Sequence, residues 1–91
     1  MAKIDIHREH HLSLPQARAV VDKVAAKMSE KFGTQSQWQA DTLKFSRTGV
    51  NGTIAVENGA VQVHAELGML LSPMKSMIEQ EIRNKLDEYF A

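Results

Sequence analysis

Residues 4–12, IDIHREHHL, hold the densest set of groups able to do chemistry: three histidines and a glutamate within nine positions. Imidazole and carboxylate are zinc ligands, bound at about 2 Å from the metal. On a strand, His7, Glu9 and His11 fall on one face, with successive same-face side chains about 6.6–7 Å apart. A His-x-His pair at that spacing can reach one ion. A structural zinc site wants four ligands, commonly with thiolates among them, and the chain has no cysteine. The outward-facing His64 can join only if its strand neighbours the first. The spacing is also not HExxH, in which two histidines meet across a helical turn. The segment therefore reads as a solvent-facing edge without a metal; His7, Glu9 and His11 are the candidates if one binds. His10 shares the parity of Ile4 and Ile6, and is expected to be a half-buried packing or hydrogen-bonding residue.

Other catalytic constellations are lacking. No serine sits in a G-x-S-x-G elbow. The glycines of GVNG have no following Lys-Ser or Lys-Thr and open no helix, so they form no phosphate loop. Glu79 and Glu81 lie two apart on a helix and diverge. The expectation is a protein that is not an enzyme and uses no cofactor.

The unusual surplus is apolar: LGMLLSPMKSM. A core-facing helix needs about 100° of apolar arc. Leu70, Leu71, Met74 and Met77 span more than that, with Met69 adjacent. Either the start of this helix is buried nearly all round, or these residues form a surface patch for a partner chain, an apolar ligand or a lipid-like surface. Without a Lys/Arg cluster, an anionic membrane is a poor fit.

These residues are positioned by a small set of elements. Residues 3–10 alternate as a strand. SLPQ is a capping box with Pro15 in the first turn. The helix after it carries Ala17, Val20, Val21, Val24, Met28 and Phe32 as one stripe, and Gly33 suits its left-handed end. In QWQADTLKFSR, a tight turn at Ala40-Asp41 would set Trp38 opposite Leu43. TGVNG is turn material. In GTIAVENGAVQVHAEL, Asn58-Gly59 predicts a type I′ hairpin pairing Val56 with Val61 and Ile54 with Val63 on a buried face. A second helix follows, with Ser72 as cap, Pro73 at its first position and a stripe of Leu71, Met74, Ile78, Ile82, Leu86 and Tyr89 or Phe90. Trp38, Phe32 and Phe45 are expected as the large core side chains. The predicted class is α+β, in the order β-α-β-β-β-α with one strand open to splitting. Its antiparallel sheet would carry both helices on one face, as one domain over residues 1–91.

Composition bounds the function. The formal net charge is zero, so no basic field recruits nucleic acid. No apolar run approaches the roughly 20 residues of a membrane span, and MAKIDIHREH lacks a signal peptide's apolar stretch. A cytoplasmic location is expected. A homodimer through a sheet edge or the last helix is possible for a sheet with two edges.

Four phrases carry a resemblance. His10-x-Leu12 precedes the first helix; Trp38-x-x-Asp41-x-Leu43-x-Phe45 follows it. Then come Gly49-x-x-Gly52-x-Ile54-x-Val56 and Leu67-Gly68-x-Leu70-Leu71. In this order the chain resembles the polyhydroxyalkanoic acid system (granule-region) family over nearly its whole length. The resemblance implies an association with polyhydroxyalkanoate storage granules, and brings no catalytic or ligand-binding residues with it. It makes Gly49, Gly52 and Gly68 look like turn requirements. Together with the apolar surplus, it leads to the expectation of a non-enzymatic accessory protein. That protein would bind the granule surface or a granule protein through Leu70, Leu71, Met74 and Met77. The alternative is a small apolar-ligand carrier with a cavity between helices and sheet.

Overall fold

The computed structural model describes residues 2–90. The chain runs β1 (Ala2–Glu9), α1 (Leu14–Phe32), β2 (Gln35–Gln39), β3 (Thr42–Arg47), β4 (Val50–Glu57), β5 (Ala60–Leu67), a 3-10 turn (Ser72–Met74) and α2 (Lys75–Phe90). The five strands form one antiparallel sheet in the order β1-β5-β4-β3-β2. The turn at Ala40-Asp41 divides the run after α1 into two strands. The class is α+β as expected, with one strand more than the unsplit order.

Local chemistry sets the element boundaries. Ser13 Oγ accepts from the Gln16 amide, and Gln16 Oε1 accepts from the Ser13 amide, each at 3.3 Å. This closes the capping box and fixes the start of α1. Gly33, at φ 70°, donates its N–H to Ser29 O and ends the helix in the left-handed region. Trp38 pairs with Leu43, Val56 with Val61 and Ile54 with Val63. These are the registers that two-residue turns at Ala40-Asp41 and Asn58-Gly59 predict.

One sheet face is oily. Ile4, Ile6, Leu43, Phe45, Ile54, Val56, Val61, Val63, Ala65 and Leu67 are all buried there. Both helices close that face: α1 buries Ala17, Val21, Val24, Ala25 and Met28, and α2 buries Ile78, Ile82 and Leu86. Removal of this apolar surface from water, at about 25 cal/mol per Å², is the main stabilising contribution.

Four details depart from the sequence expectation. Gly59 has φ 91° but Asn58 is not in the positive region, so the hairpin has the sign pattern of a type II turn and not of type I′. Gly52 is no turn residue: it lies inside β4 opposite Phe45, whose ring covers it. Of the three large side chains expected in the core only Phe45 is fully buried; Phe32 and Trp38 are half-buried and pack against its margin. The Trp38 indole N–H donates to Asp22 Oδ1 at 2.6 Å, and the Arg18 guanidinium stacks over its ring at 4.5 Å. Each group satisfies a part of the indole that the core would have left without a partner. Ser72 does not cap α2; its hydroxyl turns back to Gly68 O at 3.1 Å.

Candidate functional site

The histidines separate. His7 and Glu9 point to the helix-free face of β1, whereas His11 lies beyond the end of that strand. His7 Nδ1 meets Gln62 Oε1 at 3.1 Å. The strand carrying His64 does neighbour β1, but it sets His64 opposite Asp5 and not opposite His7. The His64–Asp5 contact is 2.6 Å, with Glu66 a further 3.9 Å from the other ring nitrogen. Among the described residues, no three His, Asp or Glu side chains converge as a metal-ligand set.

His10 turns inward and is 5% exposed. Its Nδ1 accepts the Leu12 amide at 3.1 Å, which requires Nε2 to carry the proton donated to Glu57 O at 3.2 Å. The ring stacks on Phe90, with centroids 5.3 Å apart. It therefore pins the β1–α1 corner to the tip of the β4–β5 hairpin and to the last turn of α2. This is a structural role.

The apolar surplus is arranged by one turn. β5 ends at Leu67, and the Gly68 N–H donates to Gly49 O at 2.8 Å. Gly68 O then accepts three bonds, from the Leu71 and Ser72 amides and the Ser72 hydroxyl. The tight loop throws Met69 and Leu70 outward, at 84% and 92% exposure, and folds Leu71 beneath, against Gly49 and the core. Met74, in the 3-10 turn, and Met77, in the first turn of α2, are exposed at 37% and 49%. The structure therefore divides the expected set. Leu70 and Met77 face solvent, Met74 is shared between the surface and the cavity wall beneath it, and Leu71 packs inward. Met69 joins the surface; its signal was its place beside Leu70 in a loop bounded by Gly68 and Ser72. The start of α2 is not buried all round.

Beneath this corner lies a small apolar cavity between Phe45, Val50 and Ala65 of the sheet and Leu71, Met74, Ile78 and Ile82. Its volume, ≈ 30 Å³, is that of about one water molecule. Ligand pockets run to about 300–1,000 Å³, so this core counts against a carrier.

Two ion pairs tie α2 to the rest of the fold. Lys31 Nζ donates to Glu81 Oε1 at 2.8 Å across the α1–α2 gap. That hydrogen bond holds the Glu81 carboxyl below its ordinary value, against a smaller opposing effect of desolvation. Arg8 of β1 pairs with Asp87 of α2. Neither pair sits in a cleft, and neither forms an acid/base dyad. No described helix is long and apolar enough to cross a membrane.

No curated protein and no solved structure matches the chain. Residues 4–90 match the family described as polyhydroxyalkanoic acid system protein (PHA_gran_rgn). Apart from Ala2 and Lys3, that match takes in all the residues that build the sheet, both helices and the Met69–Leu70 corner, and the chain belongs to this family.

Proposed function

We propose that this protein is a non-enzymatic accessory factor of polyhydroxyalkanoate storage, acting in the cytoplasm at the granule surface. It docks there through Met69, Leu70, Met74 and Met77. The observation that carries the reading is the 92% exposure of Leu70 beside the 84% exposure of Met69, followed by exposed Met74 in the 3-10 turn and Met77 in the first turn of α2. Isolated exposed apolar residues are ordinary on any protein, but four within nine positions of one corner are what an apolar surface would recognise. Unbranched methionine side chains adapt to a partner without fixed shape, as a polyester surface is. The neutral net charge suits a partner without ionic groups.

Sedimentation with washed polyester granules and with protein-free polymer tests the reading. Full burial of Leu70 is worth roughly 1.5–3 kcal/mol, so Leu70→Lys should weaken binding by at least about tenfold. Met69→Lys and Met77→Lys should each weaken it further, with the melting temperature unchanged. Binding to native granules but not to bare polymer would replace the polyester with a granule protein. Folded variants that sediment like wild type would refute the docking surface. Bound protein held in two copies would present two such corners and gain avidity from them.

A further inference from the structure

β1 is an eight-residue edge strand, and among the described residues no strand lies on its outer side. We propose that a second copy of this chain fills that edge. The two β1 strands would run antiparallel about a two-fold axis at Ile6, joining two five-stranded sheets into one. The inference does not depend on the polyester reading.

The backbone fixes which groups are available. The His10 N–H donates to Gly59 O at 2.9 Å, continuing the register that pairs Arg8 with Val61 and Ile6 with Val63. Hydrogen-bonded pairs alternate in an antiparallel ladder. The even-numbered residues of β1 therefore bond to β5, and Lys3, Asp5, His7 and Glu9 aim their N–H and C=O groups at the open edge. A two-fold at Ile6 places Lys3 opposite Glu9 and Asp5 opposite His7, twice each. All four are hydrogen-bonding positions, giving about eight backbone bonds.

The side chains select this register. Charged residues on an edge strand ordinarily deter pairing. Here they also favour one register over its neighbours. Moving the axis to Asp5 sets Asp5 against Asp5. Moving it to His7 sets His7 against His7 and Asp5 against Glu9. An axis at Ile4 pairs Lys3 with Asp5 but leaves Glu9 without a partner, and one at Arg8 sets Arg8 against Arg8 and carries Asp5 past the end of the strand. The axis at Ile6 pairs both acidic groups within the strand and opposes no like charges, and opposite charges directly across a ladder stabilise it. His7 engages Gln62 through Nδ1, leaving Nε2 toward the partner's Asp5. On the inner face the two Ile6 side chains meet at the axis and extend the core. Arg8 is already held by Asp87.

The other edge is the weaker candidate. β2 has only five residues, and its hairpin register aims Ser36 and Trp38 outward. That gives about four bonds and no charge pairing to fix them.

Sedimentation equilibrium over a concentration series is the test. Wild type should move from 10.2 kDa toward twice that mass. Lys3→Glu and Glu9→Lys each create two like-charge pairs, so each should raise the dimer dissociation constant roughly tenfold. The double variant K3E/E9K should restore wild-type association. His7→Pro removes the N–H aimed at the edge and the exposed imidazole with its Gln62 contact, but no N–H of the β1–β5 ladder, and should give a folded monomer. A wild type monomeric at every concentration overturns the proposal. So does a double variant no better than the singles, or a dimer that survives His7→Pro.

Discussion

Gly52→Ala should destabilise the protein, although alanine is the better residue for an ordinary strand. A Cβ on Gly52 would lie 2.3 Å from Phe45 Cζ, 2.7 Å from Phe45 Cε2 and 2.9 Å from His64 O. Ordinary contact begins at 3.4 Å, so the ring tip must retreat by about 1 Å. It has little room: Phe45 is 3% exposed beneath the helices, and His64 O belongs to the adjoining strand β5. Overpacking of this kind costs typically 1–3 kcal/mol. Loss of glycine's unfolded-state freedom returns about 0.5–1 kcal/mol. A net loss near 2 kcal/mol at the upper end of that range lowers the melting temperature by roughly 8–16 °C for a domain of this size. Thermal and urea unfolding followed by circular dichroism would measure it. In a double-mutant cycle with Phe45→Leu, whose side chain clears the new methyl, the coupling should be favourable by about 1 kcal/mol or more. A Gly52→Ala protein more stable than wild type, or an additive cycle, would refute ring-over-glycine packing.

Two further outcomes follow from named contacts. Ala40 sits at φ 54°, a left-handed conformation that costs a residue with a Cβ roughly 1–2 kcal/mol. Ala40→Gly should therefore leave stability unchanged or raise it by up to about 1 kcal/mol after glycine's entropy cost; a clear loss of urea midpoint would contradict this. The depressed Glu81 carboxyl contributes stability that is present above its unfolded-state value and is lost as pH falls through the lower folded-state value. Lys31→Met should thus differ from wild type at neutral pH, and the difference should close on acidification; a gap that widens in acid would contradict the Lys31–Glu81 contact.

Local signals in the sequence specified local structure well. The Ser13–Gln16 box, the left-handed Gly33 and the Val56–Val61 register each depend on residues close in the chain, and each forms as expected. Parity also placed His10 inside. What failed depended on distant partners. Trp38 looked like core by its size, but its place on the edge strand β2 gives its N–H to Asp22 and its ring face to Arg18. Gly52 looked like a turn residue because nothing in TGVNG shows that Phe45 lies across from it. The β1–β5 pairing, which sets His64 against Asp5, joins residues 59 positions apart and leaves no local trace. The apolar excess near residue 70 was legible as more than one helical stripe can bury. Which residues face out was not, since the division between Leu70 and Leu71 is made by the three hydrogen bonds converging on Gly68 O.

Methionine oxidation by peroxide, read residue by residue by mass spectrometry with and without polyester particles, addresses the docking surface most directly. In free protein, Met69 and Met77 should oxidise readily, while Met28, at 5% exposure, serves as the protected internal reference. With particles bound, oxidation of Met69, Met74 and Met77 should fall while Met28 stays unchanged. Bound protein whose Met69 and Met77 oxidise at the free rate would show that the corner at residues 69–77 is not the surface that meets the polymer.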